Sequence, residues 1–150
     1  MCLEKYSNLE VAEKKIPVYV VRVITKDGVV VSPYYGFDWS KDNVPIVKDN
    51  IWTPGVEKRT SDRVHGDGGF HSFVDYFDAL ELAYGFVEDN WLKFSHPNSK
   101  FAIFKAYINK GIEYIEGTAH IGNPISICCP GMASSALKLN KRPLKVLKCK

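Results

Sequence analysis

An α+β fold, mainly twisted antiparallel sheet around one principal helix, is what this sequence predicts. Short runs rich in Val, Ile and Tyr recur between Gly, Pro and Asn breaks, which is the signature of strands and turns. One segment, at 74–90, carries helical periodicity. With 150 residues and 45% hydrophobic content, the chain is sized for one compact core, so residues 1–150 read as a single domain.

Ile16 to Ile24 is the first strand, and Lys26-Asp27-Gly28 turns it into a second at 29–31. From 32 to 64 the periodicity dissolves into an aromatic-rich loop holding Tyr34, Tyr35, Phe37, Trp39 and Trp52. A glycine cluster follows, Gly66-Asp67-Gly68-Gly69-Phe70-His71-Ser72-Phe73, and it leads toward the helix. Phe77, Leu80, Tyr84, Val87 and Trp91 fall at offsets of three and four and predict the buried stripe of that helix. Ser72 or Asp75 is placed to cap its start. Beyond the break at His96-Pro97-Asn98-Ser99, strands are expected at 101–108 and, after Asn109-Lys110-Gly111, at 112–116. A further strand at 125–129 is expected to close at Pro130-Gly131, and the last lies at 143–148.

Charge and cysteine usage narrow the function classes. Twenty basic residues against seventeen acidic ones leave +3, too small and too dispersed for a nucleic-acid face. The basic residues near the C-terminus alternate with Leu137, Leu139, Leu144 and Val146, as on a solvated strand face. Cys2, Cys128, Cys129 and Cys149 form no C-x-x-C pair and no spacing with histidine, so no metal site is expected. Adjacent Cys128 and Cys129 must point to opposite faces of a strand. No apolar run reaches the roughly 20 residues of a membrane-spanning helix. The expectation is a soluble cytoplasmic protein with reduced thiols.

The glycine cluster and its histidine carry the main chemical signal. Gly69 lets backbone approach a ligand, and the free N–H groups of a helix start attract an anion. His71 and Ser72 would then donate to a phosphate, or else His71 ties the turn to the aromatic loop. No Gly-Lys-Ser/Thr follows and the glycines do not match the dinucleotide fingerprint, so neither a P-loop nor a Rossmann unit is indicated. Tyr35 and Trp39 have the chemistry to stack on a base. Glu113 and Glu116 are spaced to face opposite sides of a strand, and either alone suits a ribose hydroxyl. Ser134 and Ser135 lack a nucleophile elbow.

Val18-Tyr19-Val20-Val21-Arg22-Val23, Val31-Ser32-Pro33-Tyr34-Tyr35 with Trp39, Gly69-Phe70-His71-Ser72-Phe73 with Ala79, and Ala133-Ser134-Ser135-Ala136-Leu137-Lys138 stand in a recurring order. That layout resembles small uncharacterised proteins of bacteria and their phages. More remotely, it is similar to the ADP-ribosyltransferase fold, in which a first strand carries an Arg or His and a late strand carries a catalytic Glu. The resemblance implies Arg22 as the first-strand residue, Ser72 as the hydroxyl, and Glu113 or Glu116 as the acid. The chain lacks a Ser-Thr-Ser run and a Glu-x-Glu pair. Three functions are therefore weighed. One is an accessory protein holding a nucleotide or NAD-derived ligand against Arg22, Tyr35, Trp39, Gly69, His71 and Ser72, and sequestering a signal molecule. The second is a module whose aromatic loop docks a host protein. The third is an NAD-consuming enzyme.

Overall fold

Strands such as Val18-Tyr19-Val20-Val21 and Phe101-Ala102-Ile103-Phe104, apolar at nearly every position, must be buried on both faces. The computed structural model describes residues 2–33, 51–89, 98–122 and 125–148, and it bears this out. In chain order the strands are β1 (Cys2–Glu4), β2 (Glu10–Val11), β3 (Ile16–Ile24), β4 (Val30–Val31), β5 (Ile51–Trp52), β6 (Glu57–Arg59) and β7 (Phe70–Phe73). Then come the helix α1 (Tyr76–Glu88) and β8 (Lys100–Ile108), β9 (Glu113–Ile121), β10 (Ile127–Ser134), β11 (Ala136–Leu139) and β12 (Lys145–Lys148). The sheet runs β1-β9-β10-β7-β3-β8-β11-β6, with β12 on β8, β2 on β9, and β4 and β5 continuing from β3. Every pairing among the described residues is antiparallel. No described helix is long and apolar enough to cross a membrane.

Period-two alternation sorts the side chains into two apolar clusters. Val21 and Val23 of β3 join Phe101 and Ile103 of β8 beneath α1. Val18 and Val20 of β3 join Phe104 and Ala106 of β8 on the other face, where Trp52 also packs. The β3–β8 ladder is the longest contact, in register from Ile16 opposite Ile108 to Ile24 opposite Lys100. It is the central pair of the sheet.

The helix differs from expectation in where it starts and in what it buries. Ser72 does not cap it, because 70–73 are extended and paired with β10. Asp75 is the N-cap, its side chain accepting from Phe77 N–H at 2.8 Å. The buried face is Ala79, Leu82, Ala83, Phe86 and Val87, while Phe77 is 71% and Tyr84 46% exposed. Two stripes at spacings of three and four coexist on this helix, and the alanines admit closer approach to the sheet. Phe86 then stacks on Phe101 with ring centroids 5.0 Å apart. Asn90 and Trp91 lie outside the described residues.

Pro130-Gly131 does not end a strand either, since β10 continues to Ser134. Pro130 O accepts from Val74 N, just past the end of β7. N and O of a strand residue point to the same side, so the proline's missing N–H faces Val74, one residue past the end of β7, outside the paired ladder. At Gly131 an added Cβ would sit 2.9 Å from Ala119 Cβ and 3.2 Å from Ser72 O, so glycine is required by close approach. Asn109-Lys110-Gly111 turns the chain, but β8 and β9 do not pair, and the following strand is longer than expected. The cysteines alternate as predicted, Cys128 exposed and Cys129 buried. Leu137 and Leu139 are buried, whereas Leu144 and Val146 are exposed and Leu147 packs on the core instead.

Phe86→Ala should lower stability by about 3–5 kcal/mol in urea unfolding, because it empties a site beneath the sheet. Phe77→Ala should change it by no more than about 0.5 kcal/mol. Equal effects would show that the buried stripe has been assigned to the wrong face.

Candidate functional site

β3 and β7 are neighbours through one residue pair only, Tyr19 opposite Phe73. Beyond it the two strands part. β7 follows β10 from Phe73 back to Phe70, and β3 stays on β8. In the opening lies a cavity of about 530 Å³, within the size range of small-molecule sites. Arg22, Gly69 and His71 all line it, so three residues singled out in the sequence meet in one place. Leu82 of α1 and Trp52 of β5 also contribute to its wall.

Burial grades from floor to rim. Val20, Val21, Trp52 and Phe73 are buried, Thr60, Phe70 and His71 are intermediate, and Arg59, Ser61 and Asp62 are exposed. The floor is apolar except for one charged side chain, Arg22, which is 8% exposed. Its position on β3 follows from alternation, on the face of Val18 and Val20 and under Trp52. The guanidinium carbon lies 4.4 Å from the centre of the Trp52 ring, a cation–π contact. Nη1 donates to Val21 O at 2.8 Å, and Nε has no partner. No carboxylate among the described residues pairs with it. Burial pushes its pKa down from 12.5 to about 9.

Trp52 is itself held in place. Phe70 meets it edge-on at 4.9 Å, and Lys58 Nζ lies 4.9 Å from its centre. Lys58 and Arg59 stand on β6, where Arg59 pairs with Glu57 at 2.6 Å and Glu57 accepts from Asn109 Nδ2 at 2.8 Å. Arg22 and Lys58 bring positive charge to the cavity, Lys58 Nζ donating to Ile51 O at 3.2 Å, while Glu57 offsets Arg59 and Asp62 places a carboxylate on the rim.

His71 bonds through Nε2 to Gly66 O at 3.1 Å. A carbonyl only accepts, so Nε2 carries the proton and the neutral ring keeps Nδ1 as an acceptor. The same Gly66 carbonyl accepts from Leu3 N–H at 2.6 Å, tying β1 to this turn. Burial lowers the His71 pKa below its usual 6.5. Gly69 adopts φ +90°, and an added Cβ would lie 3.0 Å from Ser134 O, so the turn depends on glycine.

Other sequence candidates lie elsewhere. Ser72 is buried with an unpartnered Oγ and does not line the cavity. Because β7 intervenes, the start of α1 is not at His71 or Ser72, and the expected anion site on the helix N-terminus is not formed there. Glu113 and Glu116 are exposed on β9, opposite Val11 and Met132 respectively, and neither lines the cavity. Tyr35 and Trp39 lie outside the described residues. Lys58, Arg59 and Asp62 were missed as site residues, although Glu57-Lys58-Arg59 was visible in the segment read as loop; Trp52 was read among the loop aromatics suited to stacking on a base, not as the support of Arg22. Burial and Asp78 push the Cys129 thiol up to about 12, which keeps it protonated and a poor nucleophile. No group of three His, Cys, Asp or Glu among the described residues is arranged to hold a metal ion.

No protein-family model, curated protein or solved structure matches the chain.

Arg22→Met should stabilise the ligand-free protein by about 1–4 kcal/mol, since an apolar side chain of similar length replaces a buried charge that no carboxylate among the described residues pairs. Loss of stability in thermal unfolding would instead make Arg22 a structural tie. His71 sets a pH dependence of its own. Between 6.5 and its lowered folded pKa, the unfolded chain holds a proton that the folded chain does not. Stability therefore falls as pH drops through this window, and His71→Gln should flatten the slope in urea titrations.

Proposed function

We propose that this protein binds an anionic small molecule, a nucleotide or an NAD-derived ligand, in the cavity between β3 and β7, and acts by holding it. The observation that carries this reading is the Arg22 guanidinium, buried on an apolar floor with one backbone carbonyl and an indole face as partners. Withdrawing a charge from water costs several kcal/mol unless a partner returns it. A bound anion supplies that partner. Cavity volume and the hydroxyls of Thr60 and Ser61 on the wall support the same reading. Trp52 is the support beneath Arg22 and is almost fully buried, so it serves as a platform for the cation.

The outer face of α1 favours a second reading, docking to a protein partner. Phe77 and Tyr84 stand exposed seven residues apart on one helix face, and Val74 just before it is 43% exposed. The NAD-consuming reading would need an acid at the cavity other than Glu113 and Glu116. Asp62 is the acid that lines it.

Calorimetry with NAD, ADP-ribose, mononucleotides and cyclic nucleotides tests the leading reading. At least one should bind in the micromolar range, and Arg22→Met should weaken it by about ten- to a hundredfold, as expected for hydrogen bonds to a charged group. Absence of heat up to millimolar ligand would defeat the proposal.

A further inference from the structure

Among the described residues Arg22 is only half used, and the unused half has a defined shape. Nη1 folds back toward Val21 O. The opposite edge is formed by Nε and Nη2, whose N–H bonds run parallel, and Nε is buried with no partner. This side-on fork fits two oxygens of one phosphate or carboxylate. It sits among Val20, Val21, Trp52 and Phe73 on the floor, while the polar residues Arg59, Ser61 and Asp62 are at the exposed rim.

We propose that the nucleotide enters end-first, with a terminal phosphomonoester gripped by the Nε–Nη2 edge of Arg22. The inference rests on reading the cavity as a nucleotide site and adds which part of the nucleotide goes deepest. A cation on the floor meets the end of a molecule; a diphosphate in the middle of NAD would have to carry bulky groups past the rim on both sides. A phosphomonoester also brings a charge of about −1.5 to −2, against −1 for a carboxylate or a cyclic diester.

The test uses the full chain and calorimetry with adenosine 5′-monophosphate, NADP, NAD, 3′,5′-cyclic adenosine monophosphate, adenosine and inorganic phosphate. The monophosphate and NADP, which carries a 2′-phosphomonoester on its adenosine ribose, should bind about tenfold or more tightly than NAD and the cyclic nucleotide. Adenosine should not bind, and inorganic phosphate should compete with the monophosphate. If NAD or the cyclic nucleotide matches the monophosphate, end-first entry is overturned and the nucleotide reading stands. If no nucleotide binds, both are overturned. Arg22→Lys keeps the charge and removes the fork, so it should abolish the preference for monoester over diester. Unchanged preference in a variant that unfolds at the wild-type temperature overturns the role of the fork. The ³¹P resonance of bound monophosphate gives a readout on the unaltered protein, since pairing with Arg22 must move the phosphate's second pKa downward. An unmoved titration also overturns the proposal.

Discussion

The arrangement depends on one constraint, the single residue pair Tyr19 opposite Phe73 that joins two blocks of sheet. On one side β3 is zipped to β8 over nine residues, and on the other β7 is zipped to β10 over four. Each strand is committed to its own partner, so the seam between them cannot close. A sheet ordinarily leaves no room for a cavity between adjacent strands. Here the strands diverge after one pair, and the space becomes the candidate site. Helix α1 packs across both blocks and braces the seam, with Leu82 in the cavity wall and Phe86 stacked on Phe101.

That geometry explains the electrostatics. Arg22 occurs on the strand bordering the seam, at a position whose alternation would otherwise call for another core residue such as Val18 or Val20. The sheet and Trp52 desolvate the guanidinium, and the described residues return one hydrogen bond and one aromatic face. A residue that breaks a local rule without compensation nearby is a candidate functional position. Across the seam, His71 is fixed by Gly66, whose carbonyl also anchors β1. The second wall of the cavity is thus held by the N-terminal strand, far away in sequence.

Much of the fold was legible in local pattern. The β3–β4 hairpin and its Gly28 turn, the strand starting near Phe101 and the opposed faces of Cys128 and Cys129 follow from alternation and turn chemistry, which act within a few residues. Errors arose where a long-range partner decided the outcome. Pro130-Gly131 reads as a stop until β7 is known to end beside it. Phe77 and Tyr84 form a plausible apolar stripe, but the sheet accepts the face with small alanines instead. The glycine cluster reads as a helix entrance, yet pairing with β10 draws 70–73 into a strand first.

For the site, the sequence by itself determined a glycine turn carrying a histidine, while Arg22 entered only as what the resemblance implied. Residue types and short spacings suffice for the turn. It did not determine that Arg22 and His71 share a cavity, that Ser72, Glu113 and Glu116 stand apart from it, or that Trp52 and Lys58 complete it. Only the tertiary structure decided these points. They depend on the register of β3, β7 and β10 and on where two strands part, and such non-local pairings are set by the packing of the whole sheet against α1.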